Sequence, residues 1–327
     1  MRHLPTHALD KIMIKRSATD QIIAWKRRRG RSRIGAELLE RVDDLARAWN
    51  THERQAEDFT DFVPMRLSTI MEVYVRETVR QAIDSDPKYA DRTEPLAKNF
   101  KLDFSLLKSL HGKLVTLGDI IAHSLPVSSL DHVVSTYETL FPGFRKKLPE
   151  SRERWTEDQN TQSLPPILGE AERTLSVIKR IFEVRHIVTH EMPKERPYAV
   201  EEIAEFLTST RDFLSATDWI LIGETKGDVP RTQMAMNMAA GEDLDVVVRE
   251  MEEALVEIRA RGELDEKKLA ASQAAWDAYA DSEATLHASL VEGGSMFPLI
   301  WAASKAEVTR ERVNRLHWWL EREEGDM

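Results

Sequence analysis

An arginine and a histidine near the end of one apolar-periodic segment have the types and spacing that best fit a chemical role. Arg185 lies three residues after Phe182 and continues the apolar stripe of a helix predicted over residues 168–190. A guanidinium in that position requires a partner, a solvated cleft or an interface. His190 follows five positions later, before the helix-breaking Pro193. An imidazole transfers protons near neutral pH and an arginine stabilises phosphoryl charge, so the pair suits cleavage of RNA through its 2′-hydroxyl.

Two interpretations without nuclease chemistry stay open for this segment. Arg185 pairs in the first with a buried carboxylate such as Glu72, while His190 only caps a helix end. In the second, Glu183, His186 and His190 hold a metal ion, because they lie at i, i+3 and i+7 on one helical face. Di-iron bundles need a second Glu-x-x-His pair, which this chain lacks, so we predict no metal and no other cofactor.

The arginine-to-histidine spacing is not specific by itself. Arg47 with His52, and Arg312 with His317, have the same four-residue gap. Context favours Arg185 and His190, because they occupy a long core helix and a further amphipathic helix follows to close a bundle.

The surrounding sequence predicts an all-α protein with two domains. Apolar residues recur at helical spacing, and 13 glycines and 13 prolines are few for 327 residues. We expect a polar loop over 86–100, further helices over 104–123 and 129–140, and a long helix ending near 221. Gly, Asp and Pro in residues 223–230 indicate a linker. The predicted segments are a basic helical N-terminal arm (1–58), a helical bundle (59–224) and a smaller helical domain (230–322).

Charge is distributed unevenly over a chain whose net charge is -10. The N-terminal arm contains a basic run that we predict to contact RNA phosphates, with a purely solvated arm as the alternative. Its cations are Lys26, Arg27, Arg28, Arg29, Arg31 and Arg33.

The string FEVRHIVTHE around Arg185 resembles the HEPN domains, helical bundles whose ribonuclease members carry Arg, four to six residues, then His near the end of a long helix. The resemblance covers roughly residues 60–222, and RLSTIMEVYVRETVRQAI looks like the first core helix of this group. It implies that Arg185 and His190 are catalytic, with His186 and Glu183 tuning them. His186 replaces the small polar residue, often Asn, that many HEPN enzymes carry. The resemblance also implies a two-fold homodimer with the motifs together across a cleft.

The C-terminal part is similar to the lysozyme-inhibitor LprI-like domain over about residues 231–320. Three segments carry the similarity: TQMAMNMAAGEDLD, LAASQAAWDAYADSEATL and GGSMFPLIWAASKAEVTRERVNRL. Exported members carry cysteines where this chain has Ala239, Ala284 and Ser304, which fits a protein that stays in a reducing compartment. Four aromatic residues of this part are expected in its core, namely Trp276, Tyr279, Trp301 and Trp319. The alternative is that Trp318 and Trp319 contribute to an exposed site for a partner.

Together with the HEPN resemblance, these patterns predict a cytoplasmic, metal-independent endoribonuclease. The resemblance implies that it acts as a toxin or in phage defence. No apolar run is long enough to span a membrane, and the first residues lack a signal-peptide hydrophobic region. The chain contains no cysteine, which excludes disulfides and thiolate chemistry. RNA, a second copy of the chain, and an antitoxin or sensor protein are the expected partners. The alternative is a non-catalytic helical scaffold that binds a protein.

Overall fold

The computed structural model describes residues 18–29, 34–51, 57–97, 108, 111, 115–158, 164–191 and 193–322, and most of these residues are helical. These ranges contain no strand, and one isolated bridge pairs Trp155 with Val229, so the all-α prediction is confirmed. None of the described helices is both long and apolar enough to cross a lipid bilayer. The chain divides into two compact units, Met1–Arg154 with Asn160–Gly227, and Trp155–Gln159 with Asp228–Met327.

The first unit contains ten of the described α-helices. They are α1 (Ala18–Arg29), α2 (Ile34–Thr51), α3 (Glu57–Ser85), α4 (Pro87–Ala90), α5 (Glu94–Ala97), α6 (Leu117–Ser124), α7 (Leu130–Leu140), α8 (Phe144–Lys147), α9 (Ala171–His190) and α10 (Glu202–Thr225).

Four long helices, α2, α3, α9 and α10, pack against one another around a single buried cluster. Tyr74 on α3, Phe182 on α9 and Phe213 on α10 lie in this cluster together with Val42 and Trp49 on α2. The described part of the predicted N-terminal arm therefore supplies one wall of the bundle. Short helices α4 and α5 occupy the region where we expected a polar loop.

Helix α6 lies very close to α3. A Cβ atom added at Gly118 would be 2.6 Å from the backbone oxygen of Arg80, so a side chain there requires the helices to move apart. Thr116 and Asp119 form a capping box at the start of α6, in which each side chain accepts a hydrogen bond from the other residue's backbone N–H.

A buried carboxylate in the bundle gives a stability prediction. Tyr74 donates its hydroxyl to Oδ1 of Asp218 at 3.1 Å. Burial raises the pKa of Asp218, although the Tyr74 hydrogen bond and the charge of Lys226 oppose the rise. Because the pKa of Asp218 is higher in the folded state than in the unfolded state, the free energy of unfolding falls as pH rises from the ordinary aspartate pKa to the folded one.

We expect Asp218→Asn to raise the free energy of unfolding at pH 7 by about 1 kcal/mol, because the amide oxygen still accepts from Tyr74 and no charge is buried. The gain should vanish as pH falls below the ordinary aspartate pKa. Urea unfolding of both proteins across this pH range measures the difference. A variant that is destabilised equally at all pH values contradicts the assignment.

The second unit is built from three helices that alternate in direction, α11 (Gln233–Arg261), α12 (Glu266–Ala288) and α13 (Phe297–Glu321). Helix α13 packs against both others, and the buried residues Val247, Met251, Leu255, Val313 and Leu316 form the core between α11 and α13. Helix α11 ends at Gly262, whose φ of 67° is the left-handed conformation that favours glycine.

A short segment from the connection after α8 completes the second unit. The backbone N–H of Thr156 donates to the carbonyl oxygen of Val229 at 3.0 Å. The Glu157 carboxylate accepts from the backbone N–H groups of Arg231 and Thr232. The hydrogen bond from Thr232 is the main reason that the pKa of Glu157 falls to about 2. This contact fixes the start of α11 from a position about 75 residues earlier in the chain.

Three of the four aromatic residues expected in the core of this unit, Trp276, Trp301 and Trp319, are half-buried. Tyr279 is 55% exposed, so the prediction is wrong for it. The buried face of α12 contains Ala280 and Ala284, and Tyr279, one position before Ala280, points about 100° away from that face.

Candidate functional site

Helix α9 positions Arg185 at the edge of its buried face. Ile178, Ile181, Phe182 and Val184 are buried against the bundle, and Arg185 continues this face as a half-buried side chain. The periodicity predicts an inward-facing Arg185, and its side chain is half-buried at the edge of the buried face.

Arg185 differs from the other half-buried arginines of the first unit. No hydrogen bond or ion pair joins Arg185 to any residue in the described part of the chain, and it is the only half-buried arginine there without one. The arginines with partners are Arg76, Arg80, Arg92, Arg152, Arg154, Arg180 and Arg196. A partly desolvated guanidinium without a counter-charge is costly to keep, unless a ligand supplies that charge.

Glu72, the carboxylate considered as a partner for Arg185, pairs with Arg76 instead. Its Oε1 lies 3.0 Å from Nη2 of Arg76. Nη1 of Arg76 also donates to the backbone oxygens of Ala122 (2.6 Å) and His123 (2.8 Å) at the end of α6. Burial and the Arg76 charge lower the pKa of His123. Arg76 therefore joins α3 to α6, and Glu72 is not available to Arg185.

Two exposed imidazoles lie side by side at the end of α9. The ring centroids of His186 and His190 are 4.9 Å apart and the rings are tilted by 53°. His190 is the last residue of the helix. The backbone N–H of Glu191 donates to the carbonyl oxygen of Ile187 at 2.9 Å and completes the last helical turn. Both imidazoles are therefore open to solvent on the same helix that carries Arg185.

Glu183 lies at 3.9 Å from Arg180, through Oε2 and Nη1, and is about half exposed. No contact with His186 or His190 is present for it among the described residues, so an orienting role stays a prediction. The described residues include no group of three or more His, Asp or Glu side chains arranged to hold a metal ion. Glu183, His186 and His190 share a helical face without converging on one point.

The other positions with the same spacing have different surroundings. Arg312 is half-buried but donates to Oε1 of Gln273 at 3.4 Å and to Oγ of Ser272 at 3.3 Å. Arg47 is exposed and pairs with Asp44, and His52 lies outside the described residues. Neither described arginine is left without a partner as Arg185 is.

The predicted RNA-binding cations are only partly described. Lys26 is half-buried, and its ammonium lies 2.5 Å from Oδ2 of Asp119. Burial of Asp119 alone would raise its pKa, but the hydrogen bonds from Lys26 and from the Thr116 backbone outweigh burial and hold the pKa below its ordinary value. Lys26 thus has a structural partner that sequence reasoning missed.

Arg27 and Arg28 are exposed on α1 and remain open to a phosphate. The side chain of Arg29, and residues Arg31 and Arg33, lie outside the described part of the chain.

In the second unit, the positions compared with cysteines are close-packed or half-buried. Ala284 is fully buried, Ala239 is half-buried, and Oγ of Ser304 lies 2.8 Å from Nδ1 of His287. Trp318 and Trp319 are half-buried and meet edge to face at 5.1 Å. The guanidinium groups of Arg315 and Arg322 cover Trp318 and Trp319, at 4.3 and 4.4 Å from their ring centres.

Comparison with known proteins finds a similarity for part of the chain. No curated protein and no solved structure matches it. No HEPN family matches either, so the HEPN resemblance stays a prediction. The family described as lysozyme inhibitor LprI matches residues 227–316, which confirms the resemblance seen in the C-terminal segments. Residues 227–316 are therefore similar to the LprI family.

Proposed function

We propose that the first unit is a metal-independent endoribonuclease of HEPN type, acting in the cytoplasm as a toxin or phage-defence effector. The observation that carries this proposal is the half-buried guanidinium of Arg185, which has no partner among the described residues, on the helix that ends at exposed His190. A guanidinium binds phosphate oxygens through paired hydrogen bonds, and an RNA phosphate is the ligand that we propose for Arg185.

The proposed reaction uses groups that this helix carries. A neutral imidazole accepts the proton of the ribose 2′-hydroxyl, and the 2′-oxygen forms a bond to the adjacent phosphorus. The bond from phosphorus to the 5′-oxygen breaks, and an imidazolium donates a proton to that oxygen. Arg185 stabilises the negative charge that develops on the phosphoryl oxygens. The products are a 2′,3′-cyclic phosphate and a 5′-hydroxyl, and no water or metal ion is consumed.

Two imidazoles are needed, and the chain offers two sources for the second. His186 lies beside His190 on the same helix. A second His190 would come from another protomer if the protein forms the two-fold homodimer that the HEPN resemblance implies.

His186→Ala tests the first source. If His186 is the second proton-transfer group, the cleavage rate should fall about 100-fold, and one limb of the bell-shaped pH profile should disappear. Steady-state cleavage of a fluorogenic RNA between pH 5 and 9 measures both. A variant that keeps the wild-type rate excludes His186 from proton transfer and leaves His190 of a second protomer.

The proposal as a whole is tested with the purified full-length protein and total cellular RNA, with and without EDTA. We expect cleavage in both conditions and 5′-hydroxyl ends on the fragments. Absence of cleavage, or loss of cleavage with EDTA, contradicts a metal-independent ribonuclease.

A second candidate function is a non-catalytic scaffold that binds a protein such as an antitoxin or a sensor. The LprI match favours it, because the family is described by its inhibition of another protein. A growth assay distinguishes the two candidate functions. Expression of an active ribonuclease alone should arrest growth, and an Arg185 variant should not, whereas a scaffold predicts no difference between them.

A further inference from the structure

Five exposed apolar side chains lie at one end of the second unit. Helix α11 begins, α12 ends and α13 begins at this end, because the three helices alternate in direction. Nδ2 of Asn237 donates to the backbone oxygen of Ser295 at 3.2 Å and joins the first turns of α11 to the segment before α13. We call these five side chains the apolar end: Met234 (75% exposed), Met238 (59%), Leu286 (63%), Leu290 (88%) and Met296 (43%).

The apolar end contains two pairs of apolar side chains, each pair separated by one helical turn. Met234 and Met238 are one turn apart on α11, and Leu286 and Leu290 are also four positions apart. Large apolar side chains that cluster in solvent mark interaction sites in soluble proteins. Methionine is flexible and polarizable, so it adapts to the irregular side chains of a partner.

The charges around the apolar end are unbalanced. The cations near it are neutralised within the unit, since Lys305 pairs with Asp281 at 2.6 Å and Arg310 pairs with Asp243 at 2.5 Å. Arg231 likewise faces Asp158 at 3.8 Å. The exposed acids around the apolar end have no ion pair in the described part of the chain. They are Glu242, one turn after Met238, and Glu292, two positions after Leu290. Farther along α11, exposed Asp245 is followed one turn later by exposed Arg249, so this stretch is not acidic.

We propose that the apolar end binds a basic amphipathic helix of a partner protein. The apolar face of that helix covers the methionines and leucines, and its Lys or Arg side chains meet Glu242 and Glu292. A second copy of this chain fits less well, because it would place the same acidic side chains opposite these ones. The inference concerns the second unit alone and is independent of RNA cleavage by the first.

The test uses the full-length protein and two fluorescent model peptides of about five helical turns each. Both peptides have the same leucine face, and the polar face carries lysines in one and glutamates in the other. Fluorescence anisotropy should show that the lysine peptide binds at least about tenfold more tightly, and that added salt weakens it. Equal binding of the two peptides, or no binding of the lysine peptide, overturns the proposal.

Matched variants locate the surface. The double variant Met234→Ser, Leu290→Ser should bind the lysine peptide at least about tenfold more weakly. The double variant Glu242→Lys, Glu292→Lys should lose affinity for this peptide by at least about the same factor. The controls lie near the opposite end of α11: Val256→Ser, where the side chain is 62% exposed, and Glu253→Lys. The controls should bind as the wild type does, and all variants should keep wild-type RNA cleavage.

Three outcomes count against this surface. The peptide surface lies elsewhere if the control variants weaken binding as much as the others. A wild-type protein that sediments as a dimer, which Met234→Ser with Leu290→Ser dissociates, assigns the apolar end to a second copy. If circular dichroism shows that the serine variant is unfolded, the test rests on the variant with Glu242→Lys and Glu292→Lys. Unchanged affinity of that variant for the lysine peptide refutes the proposal.

Discussion

Replacing His190 with alanine is expected to lower RNA cleavage at least about 1000-fold without unfolding the protein. His190 is exposed at the last residue of α9 and makes no ion pair among the described residues, so little folding free energy depends on it. We expect the free energy of unfolding to change by less than about 0.5 kcal/mol. Gel-based cleavage assays and urea unfolding of the same preparations measure the two quantities.

His317→Ala is the matched control for this variant. His317 is exposed, lies on a helix and follows Arg312 with the same spacing, but Arg312 is hydrogen-bonded to Gln273 and Ser272. Cleavage by the control should equal that of the wild type. Residual cleavage by His190→Ala at the level of the control would show that the activity belongs to a different site or to a contaminant.

The helices that could be predicted are those with a strong local pattern. The helix carrying Arg185 was expected over 168–190 and is found at Ala171–His190, because its apolar residues recur at a regular spacing before Pro193. The three C-terminal segments identified the LprI-type domain, since their order and spacing are a property of the sequence itself.

Helix α2 is part of the bundle core, although it lies in the range predicted as a basic arm. Leu38, Val42, Leu45 and Trp49 have the spacing of a buried helical face, and the last three are buried in the bundle. The basic residues just before this helix favour a separate arm over residues 1–58. The apolar stripe was a sufficient signal for packing, because burial of such a face stabilises a helix more than its charges do.

Contacts between distant residues could not be predicted from one sequence. Lys26 meets Asp119 across 93 positions, and no local pattern links the two. The same is true of Glu157 and the first residues of α11. That Arg185 has no partner among the described residues likewise follows only from the folded chain, since Glu72 could pair with Arg185 or with Arg76 until the helices are placed.

Arg185→Met should separate a ligand-binding arginine from a structural one. Methionine keeps much of the side-chain length and the apolar contacts but removes the charge. We expect cleavage to fall at least about 100-fold, because the developing phosphoryl charge loses its stabilising cation. The free energy of unfolding should stay unchanged or rise by up to about 1 kcal/mol, since no described residue loses a hydrogen bond and a partly buried charge is removed.

Arg76→Met, on the neighbouring helix α3, should behave in the opposite way with respect to stability. This substitution removes the hydrogen-bond donor to the backbone oxygens of Ala122 and His123, and it leaves Glu72 without its ion-pair partner. The free energy of unfolding should therefore fall by about 2 kcal/mol. Urea unfolding of both variants gives the comparison. If Arg185→Met is destabilised as much as Arg76→Met, then Arg185 has a structural partner, and the main support for phosphate binding at the end of α9 is lost.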